Sequence, residues 1–112
     1  MNKEEYPVYV QKRQQQKDEA ALKYVLADER GRWFLERLFK RCHMEASTFG
    51  DLEKTTGMMI FEGERRVALD ILRNIRLLGP EGLKGKQLAE TERMTFEESL
   101  KQILEDNYEE EL

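Results

Sequence analysis

Proline cannot continue an α-helix, and this chain has only two prolines, Pro7 and Pro80, so residues 8–79 contain none. Apolar residues in that interval recur at three- and four-residue spacing, which is the period of an amphipathic helix. The clearest instance is Asp28 to Cys42, DERGRWFLERLFKRC, where Gly31, Phe34, Leu35, Leu38, Phe39 and Cys42 fall on one side of the wheel. Arg30, Arg32, Glu36, Arg37, Lys40 and Arg41 fall elsewhere on it. Asp28 is placed to cap the first turn, and Glu29 adds negative charge at the positive end of the helix dipole. An all-α fold is expected.

With 112 residues, 39% hydrophobic and 38% charged, there is room for one small domain with a thin core that a partner would complete. The expected organisation is an N-terminal arm over residues 1–10, a helical core domain over 11–79, a linker over 80–94, and an acidic C-terminal helix and tail over 95–112. Pro7 and the apolar Tyr6, Val8, Tyr9 and Val10 suggest an extended arm. From Gln11 a helix begins wholly polar and turns apolar at Ala20, Ala21, Leu22, Val25 and Leu26, with a bend near Asp28 before the central helix.

After the central helix, Ser47, Thr48, Gly50 and Asp51 read as a loop, with Phe49 folding back on the core and Thr55 or Thr56 capping the next helix. That helix carries a stripe through Phe61, Ala68, Ile71, Leu72, Ile75 and Leu78 and is expected to pair antiparallel with the central helix. Gly63 interrupts it, at a cost of roughly 1 kcal/mol against alanine, which either close approach to the Gly31 region or a place near the helix start, where the penalty is smaller, would explain. Gly79 and Pro80 end it. Thr95 and Glu98 match a capping box for a separately capped helix whose apolar side is Phe96, Leu100, Ile103 and Leu104. The architecture that results is a small antiparallel helical hairpin or bundle with a polar N-terminal helix.

The single histidine, His43, and single cysteine, Cys42, leave no ordinary zinc ligand set and no nucleophile–histidine pair. Glycines at phosphate-loop spacing are missing too, so neither enzyme activity nor a cofactor is expected. No apolar run approaches the roughly 20 residues that span a bilayer, and MNKEEYPVYV lacks a signal-peptide core. The net charge of −4 is uneven, since the arginines concentrate in the middle and the carboxylates after residue 81. Nucleic-acid binding through Arg30, Arg32, Arg37, Lys40, Arg41, Arg65, Arg66, Arg73 and Arg76 is the competing reading, as in a small cytoplasmic regulatory protein. The acidic residues interleaved with them argue against it.

Gly31-Arg32-Trp33-Phe34-Leu35 with Leu38, Cys42 and Phe49, followed by Phe61-Glu62-Gly63-Glu64-Arg65-Arg66 with Leu69 and Leu72, resembles a family of small structural proteins of tailed bacteriophages. Members belong to the head and head–tail morphogenesis genes, and the similarity spans about residues 26–78. The resemblance implies a multicopy or homo-oligomeric virion component, present in the host cytoplasm before assembly, that binds portal, capsid or other head–tail proteins. It brings no catalytic residues. The residues expected to meet partners are Trp33, Arg37, Arg65, Arg66, Phe96, Leu100, Ile103 and Leu104.

Overall fold

The computed structural model describes residues 1–42 and 55–111, with side chains placed over 1–42 and 60–108. His43, the loop expected at Ser47–Asp51 and Phe49 lie outside the described residues, as do the side chains of Thr55 and Thr56. Four α-helices follow a short 3-10 turn at Lys3–Glu5, and no strand occurs among the described residues: α1 is Tyr6–Ala27, α2 Glu29–Arg41, α3 Thr55–Leu77 and α4 Pro80–Glu111.

Both expected boundaries around the central helix are real. Asp28 stands between α1 and α2 in extended backbone, and its side chain accepts the Arg30 N–H at 2.8 Å. The Arg30 guanidinium closes on the same carboxylate at 3.1 Å. The Arg30 side chain, and then its backbone N–H, hold the Asp28 carboxyl down at about 2. Its capping contribution is therefore complete above the ordinary 3.8 and is lost as the pH falls through about 2. Gly31 sits where a Cβ would run into the Val25 carbonyl, so the turn from α1 into α2 closes tightly only because that side chain is missing.

The α3–α4 corner is equally specific. Gly79 takes a φ of 77°, its N–H reaching the Arg76 carbonyl at 3.0 Å, and Pro80 opens the next helix where its missing donor costs nothing. Gly82 then packs against the Ile75 carbonyl, leaving no room for a Cβ.

Four expectations give way here. Residues 1–10 are not an extended arm, because Pro7 occupies the first turn of α1, where proline is tolerated, and the helix runs on from there. Residues 80–94 are not a linker, and Thr95 caps nothing, since both lie inside the continuous α4. Gly82 and Gly85 read as linker residues but act as contact points. Gly63 does not approach Gly31, and a Cβ there would meet nothing within 4 Å.

The core joins Leu26 of α1, Leu35, Phe39 and Cys42 around α2, and Ala68 and Ile75 of α3, with Leu22, Val25, Leu38, Ile71 and Leu78 packed against it. Cys42 is thus a buried free thiol. The expected stripe of α3 does reach this core, but the helix running closest along α2 is α4 rather than α3. Contacts from Trp33–Phe96 at one end to Glu36–Lys86 at the other make that pair antiparallel. The molecule is elongated, with extents of 76 × 39 × 19 Å and a radius of gyration of 19.3 Å. A compact chain of this length would have a radius near ~13 Å.

Candidate interaction surface

The surface is built on α4, whose 32 residues make a rod of roughly 48 Å. Its first half is sewn to α2. Small residues on one face, Gly82, Gly85 and Ala89, let it come close to α3 and α1 as well: Ala89 is fully buried, a Cβ on Gly82 would collide with the Ile75 carbonyl, and one on Gly85 would stand 3.0 Å from the Leu26 Cβ. The same face then carries the charge cluster that fixes the register. Glu36 is 4% exposed and accepts from Lys86 Nζ at 2.7 Å and from Arg93 Nε at 2.9 Å. Lys86 also reaches Glu90 at 2.7 Å and lies 4.9 Å from the Phe39 ring centroid. Arg93 extends to Glu97 at 3.1 Å. One turn away, Arg32 pairs with Glu92 and donates to the Leu26 carbonyl at 2.9 Å.

A buried carboxylate would be costly alone, and here the Lys86 and Arg93 cations compensate it, while Glu90 and Glu97 take up their remaining positive charge. Hydrogen bonding to Glu92 raises the Arg32 pKa, and hydrogen bonding to Glu36 raises that of Arg93. Beside this cluster a groove of about 400 Å³ runs between α2, α3 and α4, floored by Phe39, Leu72 and Ile75 and rimmed by Lys40, Arg76 and Glu90. Its inner charges are already paired with one another. Glu36, Lys86 and Arg93 were not among the residues expected from the sequence. The available signal was the seven-residue recurrence of Gly82, Ala89 and Phe96, interleaved with Gly85 and Glu92, which is a helix-packing seam rather than a linker.

The second half of α4 has no such neighbours. Phe96 meets Trp33 edge-on, with ring centroids 4.9 Å apart. Beyond it Leu100, Ile103, Leu104 and Tyr108 are exposed, Leu104 to 68%. Trp33 lies against Phe96, 39% exposed, while Phe34 is 64% exposed. Arg37 and Arg66 are exposed and Arg65 half-buried, its Nε shielded and without a hydrogen bond among the described residues. The interaction residues therefore do not form one patch. Trp33 and Phe96 meet at the middle of α4, Leu100, Ile103 and Leu104 continue along its free end, and Arg65 and Arg66 stand apart on α3.

The packed and projecting parts of the chain coincide with a family boundary. Residues 1–21 are exposed throughout, and so are residues 94–108. The model of the Bbp19-like phage protein family matches residues 22–90, which include the core positions of α1, α2, α3 and the buried start of α4. The chain belongs to the Bbp19-like phage protein family. No curated protein and no solved structure matches it. The Bbp19-like segment reaches past the span of 26–78 read from the sequence and takes in Gly82, Gly85, Lys86 and Ala89, in keeping with their packing against α1, α2 and α3. Among the described residues of this Bbp19-like protein no helix is long and apolar enough to cross a membrane.

Proposed function

We propose that this phage protein is a non-enzymatic component of the virion, which docks onto other particle proteins, portal or capsid, through the distal half of α4. The observation that carries this reading is the face formed by Leu100, Ile103, Leu104 and Tyr108, exposed on a helix whose first half is firmly held by the body. Large apolar side chains at helical spacing on a rigidly based helix suit recognition by a groove on a partner. Multicopy incorporation fits a phage protein of this size and shape. The groove beside Glu36 supports catalysis poorly, because its carboxylates and cations neutralise each other.

Nucleic-acid binding is less well supported, since Arg30 pairs with Asp28, Arg32 with Glu92, Arg73 with Asp70 and Arg93 with Glu36. Paired guanidiniums are poorer phosphate ligands than free ones. The test replaces Leu100, Ile103 and Leu104 by glutamate in the full chain, keeping helix propensity. Purified particles grown with this variant should lack the protein on immunoblots, while its helical circular dichroism and melting point match wild type. Incorporation at wild-type level would refute the reading, and retention of the wild-type protein on heparin with a steep salt dependence would favour the nucleic-acid alternative.

A further inference from the structure

Two stretches carry apolar side chains that the body leaves uncovered, and they are complementary. On α1, Tyr6, Tyr9 and Val10 stand at positions i, i+3 and i+4, each about half exposed. Lys12, Arg13 and Lys17 come after them, and no acidic residue lies between Tyr6 and Lys17. On α4, Leu100, Ile103 and Leu104 have the same spacing. Glu105, Asp106 and Glu109 to Glu111 come next, with no basic residue after Lys101.

We propose that these stretches bind each other between copies, the distal half of α4 of one molecule lying parallel along the start of α1 of the next. The proposal rests on the reading of distal α4 as a docking helix and names a second copy of this chain as an occupant. Laid parallel with Tyr6 beside Leu100, the two helices bring Tyr9 beside Ile103 and Val10 beside Leu104. The block from Lys12 to Lys17 then runs along the block from Glu105 to Glu111. Apolar residues would meet apolar ones, and each basic position would find acidic neighbours.

Helix-end charges point the same way. The last turn of α4 has no basic residue to offset its negative dipole end, and a neighbour's lysines would supply one. Pairing two distal α4 helices with each other would instead set like charges side by side. Pairing within one molecule is not what the structure holds, since Tyr9 and Leu104 are exposed in the same chain. Each copy therefore keeps one α1 and one α4 face open, a heterologous arrangement that grows into a ring or an open chain.

Sedimentation of the full-length protein tests this with two variants. One carries Lys12→Glu, Arg13→Glu and Lys17→Glu, and the other Leu100→Glu, Ile103→Glu and Leu104→Glu, both checked for wild-type helical circular dichroism. Wild type should grow in mass with concentration and lose that association when salt rises from ~0.1 M to ~1 M, as the Debye length falls from ~10 to ~3 Å. Each variant alone should stay monomeric. Mixed in equal amounts they should give a one-to-one dimer and nothing larger, because each retains the face the other has lost.

Wild type that stays monomeric, an α1 variant that associates like wild type, or a mixture that stays monomeric would each overturn the proposal. If the α4 variant is nonetheless lost from particles, the docking reading stands and only the second copy as partner is removed. If that variant still enters particles while the mixture dimerises, the self-contact stands and docking to other virion proteins falls.

Discussion

The two halves of α4 belong to one unbroken helix and have opposite fates. From Pro80 to Phe96 the helix presents Gly82, Gly85 and Ala89 to its neighbours and is locked by Glu36, Lys86 and Arg93. After Phe96 it presents larger apolar side chains, and they remain in solvent. The difference lies in what stands opposite, not in hydrophobicity. With 13 residues, α2 covers only about 20 Å of a rod more than twice as long. It runs antiparallel to α4, so its first turns lie near Phe96 and nothing of α2 remains beyond. At Asp28 the chain bends away into α1, whose first 16 residues are all exposed. Small side chains permitted close approach where a partner helix existed, and large ones were left where none did.

Truncation should break this comparison most severely. A chain ending at Leu78 loses the helix that holds α2 and should show no cooperative thermal transition, whereas one ending at Glu98 should melt as wild type does. Equal behaviour of the two would mean that proximal α4 is not part of the body. A smaller but still large effect is expected from Glu36→Ala. It removes the carboxylate that Lys86 and Arg93 share, leaving them only Glu90 and Glu97, and should cost about 1–3 kcal/mol in urea unfolding. The same substitution at Glu98, a surface position in the distal half, should register within about 0.5 kcal/mol.

Aromatic contact at the junction provides a finer test. Phe96→Ala should destabilise by roughly 1 kcal/mol and shift the emission of Trp33, the only tryptophan, to longer wavelength. Leu104→Ala should change neither. Two glycines sharpen the comparison in opposite senses. Gly82→Ala forces α3 and α4 apart at the Ile75 carbonyl and should lower the melting point, while Gly63→Ala, with open space around it, should raise stability by up to about 1 kcal/mol. A stabilising Gly82→Ala would show that the corner has slack that its geometry denies.

Legibility from sequence tracked the range of the interactions involved. The amphipathic face of α2, the Asp28 cap and the Gly79–Pro80 corner are decided within a few residues of chain, by periodicity, capping chemistry and the left-handed φ that glycine accepts. They could be read directly, and so could the membership in a phage protein family, through Gly31-Arg32 and the Phe61–Arg66 segment, and the apolar character of Leu100, Ile103 and Leu104. Gly82 and Gly85 misled because glycine signals two opposite things: a flexible connection in isolation, and a close helix contact when its neighbours recur at seven-residue spacing.

What the sequence by itself determined, then, is that this chain makes amphipathic helices, where α2 begins and ends, where α1 and α3 end, and which faces are apolar. The tertiary structure alone decided that α4 rather than α3 lies along α2, that Glu36 is drawn inside between Lys86 and Arg93, and that the apolar face of α4 is covered only as far as Phe96. Those outcomes depend on the relative lengths and directions of helices distant in sequence. Local propensity carries no record of which helix will be opposite, or of where it will run out.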